Sequence, residues 1–245
     1  MRYLIGIDDT DNLESRGTGF RARQLGARLA EAGLGKVRGI TRHQLFVHPS
    51  IPYTSHNSSA CLDVDLVDDR AGDARDFCRD YLATESADGS DAGLCLARFE
   101  EVTEEMVAFG RSAKERILTR EAARELAGRH GVHLEGVTGD QMGVIGALAA
   151  VSLRRGGHDG RFIWLEGVRE LTGTSTAGTL LATTGIDSVE SIDGRPLPAD
   201  AEVRVDPWPR PVLLNGRAVL LTEEDGSKNE RNGWRILAKE DIRRY

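Results

Sequence analysis

The sequence predicts a mixed α/β chain of the α+β kind. A layer in the order β-α-β-β-α-β comes first, a helical segment follows, and a small β-rich domain closes the chain. Three observations carry this. The first hundred or so residues alternate short β-branched runs with two stretches of helical periodicity. From Thr103 to Ala150 the apolar spacing is helical. Beyond Leu171 the texture changes to short β-like runs punctuated by Asp193-Gly194, Asn215-Gly216 and Asp225-Gly226. The domains divide at residue 167, giving 1–167 and 168–245.

Residues 3–7 are apolar and β-branched, as in a short buried strand. Residues 18–33 place Ala22, Leu25, Leu29 and Ala32 on one helical face, and Gly33 and Gly35 end the helix. Strands are expected at 39–47, before turns at Pro49 and Pro52, and at 59–67. Residues 73–82 read as a short helix, 86–93 as a turn-rich loop and 94–99 as a strand. This order is the split βαβ arrangement of a ferredoxin-like layer. Thr103 suits a helix N-cap, with Glu104 and Glu105 in the first turn, and the helical pattern restarts at Thr119 and ends near Gly128 to Gly131. Residues 142–151 form a buried helix rich in small residues, and 161–165 a strand. Asn215-Gly216, between two apolar runs, is a hairpin signal.

Composition narrows the function. The chain is 40% hydrophobic and 29% charged over 245 residues, the balance of a globular protein with a real core. It has no apolar stretch long enough to span a membrane and no signal peptide, so a cytoplasmic location without a membrane partner is expected. Cys61, Cys78 and Cys95 are isolated, which argues against a zinc ribbon and a disulfide framework. A net charge of −7 argues against a large nucleic-acid footprint without excluding a local one.

Function concentrates where the first strand ends. Asp8, Asp9 and Asp11 put three carboxylates at a strand-to-loop junction, where like charges repel unless a cation or proton lies between them. Hard oxygen ligands of this kind suit Mg²⁺, which binds one or two carboxylates together with substrate phosphates. Gly17-Thr18-Gly19 then opens a helix whose start can approach a phosphate. The same residues also fit a solvated Asx turn and an ordinary helix cap.

Three blocks, in order, carry a family resemblance. They are Gly6-Ile7-Asp8-Asp9-Thr10-Asp11 with Gly17-Thr18, Pro49-Ser50-Ile51-Pro52-Tyr53-Thr54-Ser55-His56-Asn57, and Gly143-Val144-Ile145-Gly146-Ala147-Leu148-Ala149-Ala150. Together they resemble the catalytic core of the archaeal tRNA-isoleucine 2-agmatinylcytidine synthetases, over roughly residues 1–166. The resemblance implies a kinase-like catalytic domain packed with a ferredoxin-like one, using ATP and Mg²⁺. It makes Asp8, Asp9 and Asp11 the metal and phosphate handlers and places a phosphoryl-transfer threonine at or next to Thr18. It does not extend to the family's OB-fold and zinc ribbon, which grip tRNA. Where the family commonly has Cys-Thr-Thr, this chain has Gly17-Thr18-Gly19.

The expected catalytic set is therefore Asp8, Asp9, Asp11 and Thr18, with the three aspartates as metal ligands. The nucleotide set is Gly17, Gly19, Arg42, His56, Asn57, Gly143 and Gly146. His56 also fits a surface histidine, Arg42 a surface ion pair, and the two later glycines pure helix packing. Asp140 reads as a helix cap, Tyr53 as packed, and His130 and His133 as structural. The expected function is an ATP- and Mg²⁺-dependent ligase or phosphoryl transferase acting on a small amine or a nucleotide. The alternatives are a tRNA cytidine-modifying enzyme that borrows an RNA-binding partner, and a non-catalytic nucleotide-binding regulator. Oligomerisation stays open, with the β-rich tail as one possible interface.

Overall fold

The computed structural model describes residues 1–51, 57–226 and 233–242. The chain separates into two compact units, 1–156 and 157–245. The strand at 161–164, which the sequence reading keeps with the first domain, falls in the second unit.

The first unit runs β1 (Arg2–Asp8), α1 (Thr18–Glu31), β2 (Gly35–Gln44), β3 (Ser58–Leu66), α2 (Ala71–Glu85), β4 (Gly93–Arg98), α3 (Glu104–Ser112), α4 (Arg120–Arg129), β5 (His133–Gly136) and α5 (Val144–Gly156). Its strands lie in the order β5-β4-β1-β3-β2, and every neighbouring pair is antiparallel. The mixed α/β expectation holds, with the β-α-β-β-α-β order intact.

Strand β1 sits at the middle of this sheet with both edges paired, and its side chains are buried on both faces. Side chains alternate across a strand, and here the alternation fixes the site. Leu4 joins the cluster that contains Ala147, Leu148 and Val151 of α5. Gly6 and Asp8 continue that face beneath the same helix. Ile5 and Ile7 face the other way and are fully buried. Helix α1 buries Ala22, Leu25, Gly26 and Leu29, the spacing of one helical stripe. It ends as the glycine predicts. Gly33 has φ +65, its N–H bonds to Ala30 O, and the Leu34 N–H bonds back to Leu29 O. Thr103 and Thr119 cap α3 and α4, accepting from the N–H groups of Met106 and Ala122.

A buried charge cluster fastens α5 to the sheet. Asp63, fully buried in β3, accepts from Arg2 Nε at 2.9 Å, from an Arg2 terminal nitrogen at 2.7 Å and from Arg154 at 2.6 Å. A charge in this position is tolerable only when paired. His43 is also fully buried. Burial, with Arg154 and Lys114 nearby, pushes it down to about 3, so it is neutral.

Two elements were not legible beforehand. Strand β5 is four half-buried residues, His-Leu-Glu-Gly, too short to show a period. It forms because β4 has an edge to pair, with Leu94 opposite Glu135 and Cys95 opposite Leu134. His133 therefore sits on a strand, 3.1 Å from Glu135, while His130 lies 2.7 Å from Glu105. In the second unit, α6 (Ala177–Thr183) follows the small polar residues 172–176 and is capped by Thr176.

That second unit also contains β6 (Arg161–Trp164), β7 (Thr174–Thr176), β8 (Ser188–Ser191), β9 (Glu202–Arg204), β10 (Val212–Leu214), β11 (Arg217–Glu224), β12 (Trp234–Ile236) and α7 (Lys239–Ile242). The strands follow β6-β10-β11-β12-β9-β7, with β8 parallel to β11. Leu180, Val189, Val203, Leu213 and Leu220 fill its core. Asn215 and Gly216 have φ of 51 and 75 and pair Leu214 with Arg217. Positive φ at both loop residues is the twist that a two-residue hairpin requires.

No helix among the described residues is long and apolar enough to cross a membrane. Cys61, Cys78 and Cys95 are free and buried, and burial raises all three thiols.

Candidate active site

The end of β1, the loop into α1, the start of β3 and the start of α5 meet around one cleft in the first unit. It holds about 860 Å³ of unfilled space, part of it open to solvent. Asp8, Asp9, Asp11, Thr18, Asn57, Gly143 and Gly146 all line it. Residues from three distant stretches of sequence are thus brought together.

Asp8 arrives by strand alternation, and the glycines of α5 make room for it. A Cβ on Gly146 would fall 1.7 Å from Asp8 Oδ2. One on Gly143 would meet the main-chain oxygens of Asp91 and Asp8 at 2.6 and 2.8 Å. Packing and pocket are therefore one requirement at these positions: the helix reaches the sheet only without side chains there. Asp9 turns the chain away from the strand with φ +52, a left-handed conformation uncommon outside glycine. Backbone strain of this kind often accompanies functional positions.

The Asx turn falls on neither Asp9 nor Asp11. It belongs to Asn12, whose Oδ1 accepts from the N–H groups of Glu14 and Ser15 at 3.0 and 2.9 Å. Asp11 instead serves the helix start. Its Oδ1 accepts from Thr18 N at 3.1 Å and from Thr18 Oγ1 at 2.8 Å. Thr10, fully buried, donates its hydroxyl to Thr18 Oγ1 at 3.1 Å. Thr18 is thereby held in one place by three polar contacts, its hydroxyl directed at a carboxylate.

Gly17, Gly19 and Arg42 are not among the residues that line this cleft. Gly17 is the N-cap of α1 with φ −62, and a Cβ there would meet nothing nearer than Asp11 Oδ2 at 3.9 Å. Gly19 lies in the first turn, its carbonyl accepting from Arg23. Arg42 donates to Ser58 Oγ at 2.8 Å; burial lowers its proton affinity, and the charge of Asp11 works against that. Asn57 is oriented by its own contacts. Its side-chain N–H donates to Phe46 O at 2.7 Å, and its main-chain carbonyl accepts from Leu45 N at 2.9 Å. His56 and Tyr53 lie outside the described residues. Asp140 is exposed and donates its main-chain N–H to Asp91 Oδ1.

The cleft has a wall that sequence reasoning missed: the connection between α3 and α4, with Ala113, Arg116, Ile117 and Leu118. Phe46 N bonds to Ala113 O at 3.0 Å, which ties this connection to the chain leaving β2. The only hint in the sequence was Ile117-Leu118 directly after a charged run, an apolar pair with no helical period to bury it.

Electrostatics distinguish the carboxylates. Burial first, then the charges of Asp9 and Asp11, raise Asp8 from the ordinary 3.8 to about 8. Burial, then Asp91 and Asp11, raise Asp9 to about 6. Both groups hold a proton more tightly in the folded chain than in the unfolded one, so the folded state binds more protons between roughly pH 4 and 8. Stability must then fall as pH rises through that window. In Mg²⁺-free buffer, Asp8→Asn is expected to flatten this decline and to be the more stable protein at pH 8, by about 1–3 kcal/mol. Denaturant unfolding of both proteins across pH is the check; an unchanged slope would refute the coupling.

No three His, Cys, Asp or Glu side chains converge as a preformed metal cage among the described residues. The donor set nevertheless fits Mg²⁺. Two partly buried carboxylates with raised proton affinity face open space, and this ion takes only one or two protein oxygens.

The unit is thus an antiparallel α/β layer that presents a hydroxyl–carboxylate pair and further acids in one cleft. Comparison with known proteins agrees with this. No known protein-family profile matches the chain. An uncharacterized protein of Methanocaldococcus jannaschii is 28% identical over 154 residues, which are 62% of this chain and 50% of that one. Among solved structures, the complex of TiaS with its isoleucine tRNA and ATP is 27% identical, with a TM-score of 0.55 over 62% of this chain and 36% of that one. The complex of TiaS with the same tRNA, AMPCPP and agmatine is 27% identical at a TM-score of 0.53, with the same coverage. TiaS is an agmatidine synthetase of an isoleucine tRNA. The chain therefore carries a core that resembles TiaS, and it spans about half the length of the curated relative and about a third of the TiaS chain.

Proposed function

We propose that the first unit is an ATP- and Mg²⁺-dependent phosphoryl transferase or ligase whose acceptor is a small amine or a nucleotide. The observation that carries the reading is the 2.8 Å hydrogen bond from Thr18 Oγ1 to Asp11 Oδ1 on the lining of the cleft. A nucleophile within hydrogen-bond reach of a base is the arrangement that activates a hydroxyl. The β-α-β-β-α-β order supports reading the sheet as a ferredoxin-like layer. The structures of TiaS with ATP, AMPCPP and agmatine support a nucleotide and an amine as ligands.

Asp8 and Asp9 would hold Mg²⁺, which when bound neutralises phosphate charge. The rest falls to this chain's own residues. Thr18 attacks the terminal phosphorus of ATP. A bond from Thr18 Oγ to phosphorus forms, the bond from that phosphorus to the bridging oxygen breaks, and ADP leaves. Asp11 takes the hydroxyl proton. Thr10, donating to Thr18 Oγ1, keeps the hydroxyl aimed at Asp11. Leu45, Leu118 and Ile145 give the cleft an aliphatic wall. The acceptor's nitrogen or oxygen then attacks that phosphorus, the bond from phosphorus to Thr18 Oγ breaks, Asp11 returns its proton to Thr18 Oγ, and the acceptor's own proton leaves to solvent.

A second reading, modification of a tRNA cytidine with RNA held by further protein, is favoured by the presence of an isoleucine tRNA in the similar TiaS complexes. One experiment addresses both. The protein is incubated with ATP and Mg²⁺, alone, with a pool of small amines, and with bulk tRNA, and the nucleotides are separated. ADP formed with amines supports the first reading. Turnover only with tRNA moves the function to the second. AMP with pyrophosphate would replace the Thr18 route with adenylyl activation. No turnover under any condition refutes the enzyme.

A further inference from the structure

We infer that Arg116 binds the phosphate chain of the nucleotide, an inference that rests on the nucleotide reading of the cleft. Arg116 stands in the α3–α4 connection and lines the same cleft as Asp8, Asp9 and Asp11. The turn beneath it is fixed. Its own N–H bonds to Ser112 O at 3.0 Å, Lys114 N bonds to Arg111 O at 3.0 Å, and buried Ala113 accepts from Phe46 N. Its side chain is exposed and, among the described residues, donates to Ser112 Oγ at 3.2 Å.

The charge pattern is what needs explaining. Several arginines of this unit pair with carboxylates, Arg21 and Arg28 with Glu85, Arg129 with Glu105 and Glu125, Arg2 with Asp63, while Arg42, Arg120, Arg124 and Arg155 donate to neutral oxygens. Arg116 shares a cleft with three carboxylates, yet among the described residues it forms no ion pair with any of them. The cleft holds the two signs of charge apart. A phosphate chain lying between them satisfies the cation directly, and a divalent ion satisfies the acids. A planar guanidinium suits this role, since its fork can donate two parallel hydrogen bonds to one phosphate. The long exposed stem lets the fork turn from Ser112 Oγ onto the ligand, giving up one neutral hydrogen bond for charge-assisted ones.

The test is calorimetric titration of wild type, Arg116→Ala and Arg116→Lys with ATP and with adenosine, in Mg²⁺ buffer. Adenosine has the base and no phosphate. Arg116→Ala is expected to weaken ATP binding by about tenfold or more while leaving adenosine unchanged, with Arg116→Lys between. Equal ATP affinity in wild type and Arg116→Ala would overturn the inference while leaving the nucleotide reading standing. Parallel loss of ATP and adenosine would also overturn it, making Arg116 part of the wall. A wild-type protein that binds neither ligand would remove the nucleotide reading, and this inference with it.

Discussion

Gly6→Ala is expected to unfold the first unit's packing more severely than any other single-methyl change in β1. A Cβ at this position would lie 2.1 Å from the Ala147 main-chain oxygen and 3.0 Å from Val151 Cγ2. A main-chain oxygen inside a helix cannot move alone, so relief requires lifting α5 from the sheet. That would open the layer containing Leu4, Ala147 and Leu148, and strain the buried pairing of Arg154 with Asp63. The cost should be about 3 kcal/mol or more, at the upper end of overpacking in a core. Gly26→Ala is the matched control. Its Cβ would meet only the side-chain ends of Ile40, Leu62 and Val37 at 3.2–3.3 Å, and alanine favours a helix over glycine by about 1 kcal/mol. It should change stability by less than about 1 kcal/mol. Far-UV circular dichroism in denaturant is the measurement, because Trp164, Trp208 and Trp234 all lie in the other unit and their fluorescence would not report on this one. Equal midpoints for the two alanine variants would mean that α5 does not sit on Gly6.

Thr18→Ala is expected to abolish transfer of the terminal phosphate, and Thr18→Ser to keep it. Serine retains the hydroxyl that Asp11 accepts, while alanine removes the only oxygen placed to receive phosphorus in the proposed route. Asp11→Asn should slow turnover by on the order of 10²–10⁴, the usual contribution of a positioned base. It also weakens the acceptor for Thr18 N, a helix-start contact worth roughly 1 kcal/mol. The separation of the two effects is the point: stability falls slightly, turnover falls by orders of magnitude. Incubation with ATP labelled in the terminal phosphate, followed by isolation of the protein, reads the first step directly. Full turnover in Thr18→Ala would exclude Thr18 as the acceptor and leave direct transfer between substrates.

Much of this architecture was legible along the chain because it rests on local chemistry. The stripe Ala22, Leu25, Leu29 specifies α1, Gly33 stops it, Thr103 and Thr119 start α3 and α4, and Asn215-Gly216 turns a hairpin. Each is settled by a few neighbouring residues. Strand β5 and helix α6 were not legible. The first is too short for a period and exists because β4 offers an edge, and the second is seven residues long, two turns directly after a polar stretch.

The candidate site divides the same way. The carboxylates at the end of β1, the threonine opening α1 and the glycines of α5 announce themselves by residue type, since few backbone or packing needs explain them together. What the sequence by itself determined was this inventory and the elements that carry it. Only the tertiary structure decided which members meet. Alternation along a central strand sends Asp8 toward Gly146, Asp11 turns inward to hold Thr18, and the α3–α4 connection brings Arg116 to the same cleft. Those placements depend on contacts between residues far apart in the chain, such as the more than one hundred positions that separate Asp8 from Gly146, and no local pattern records them.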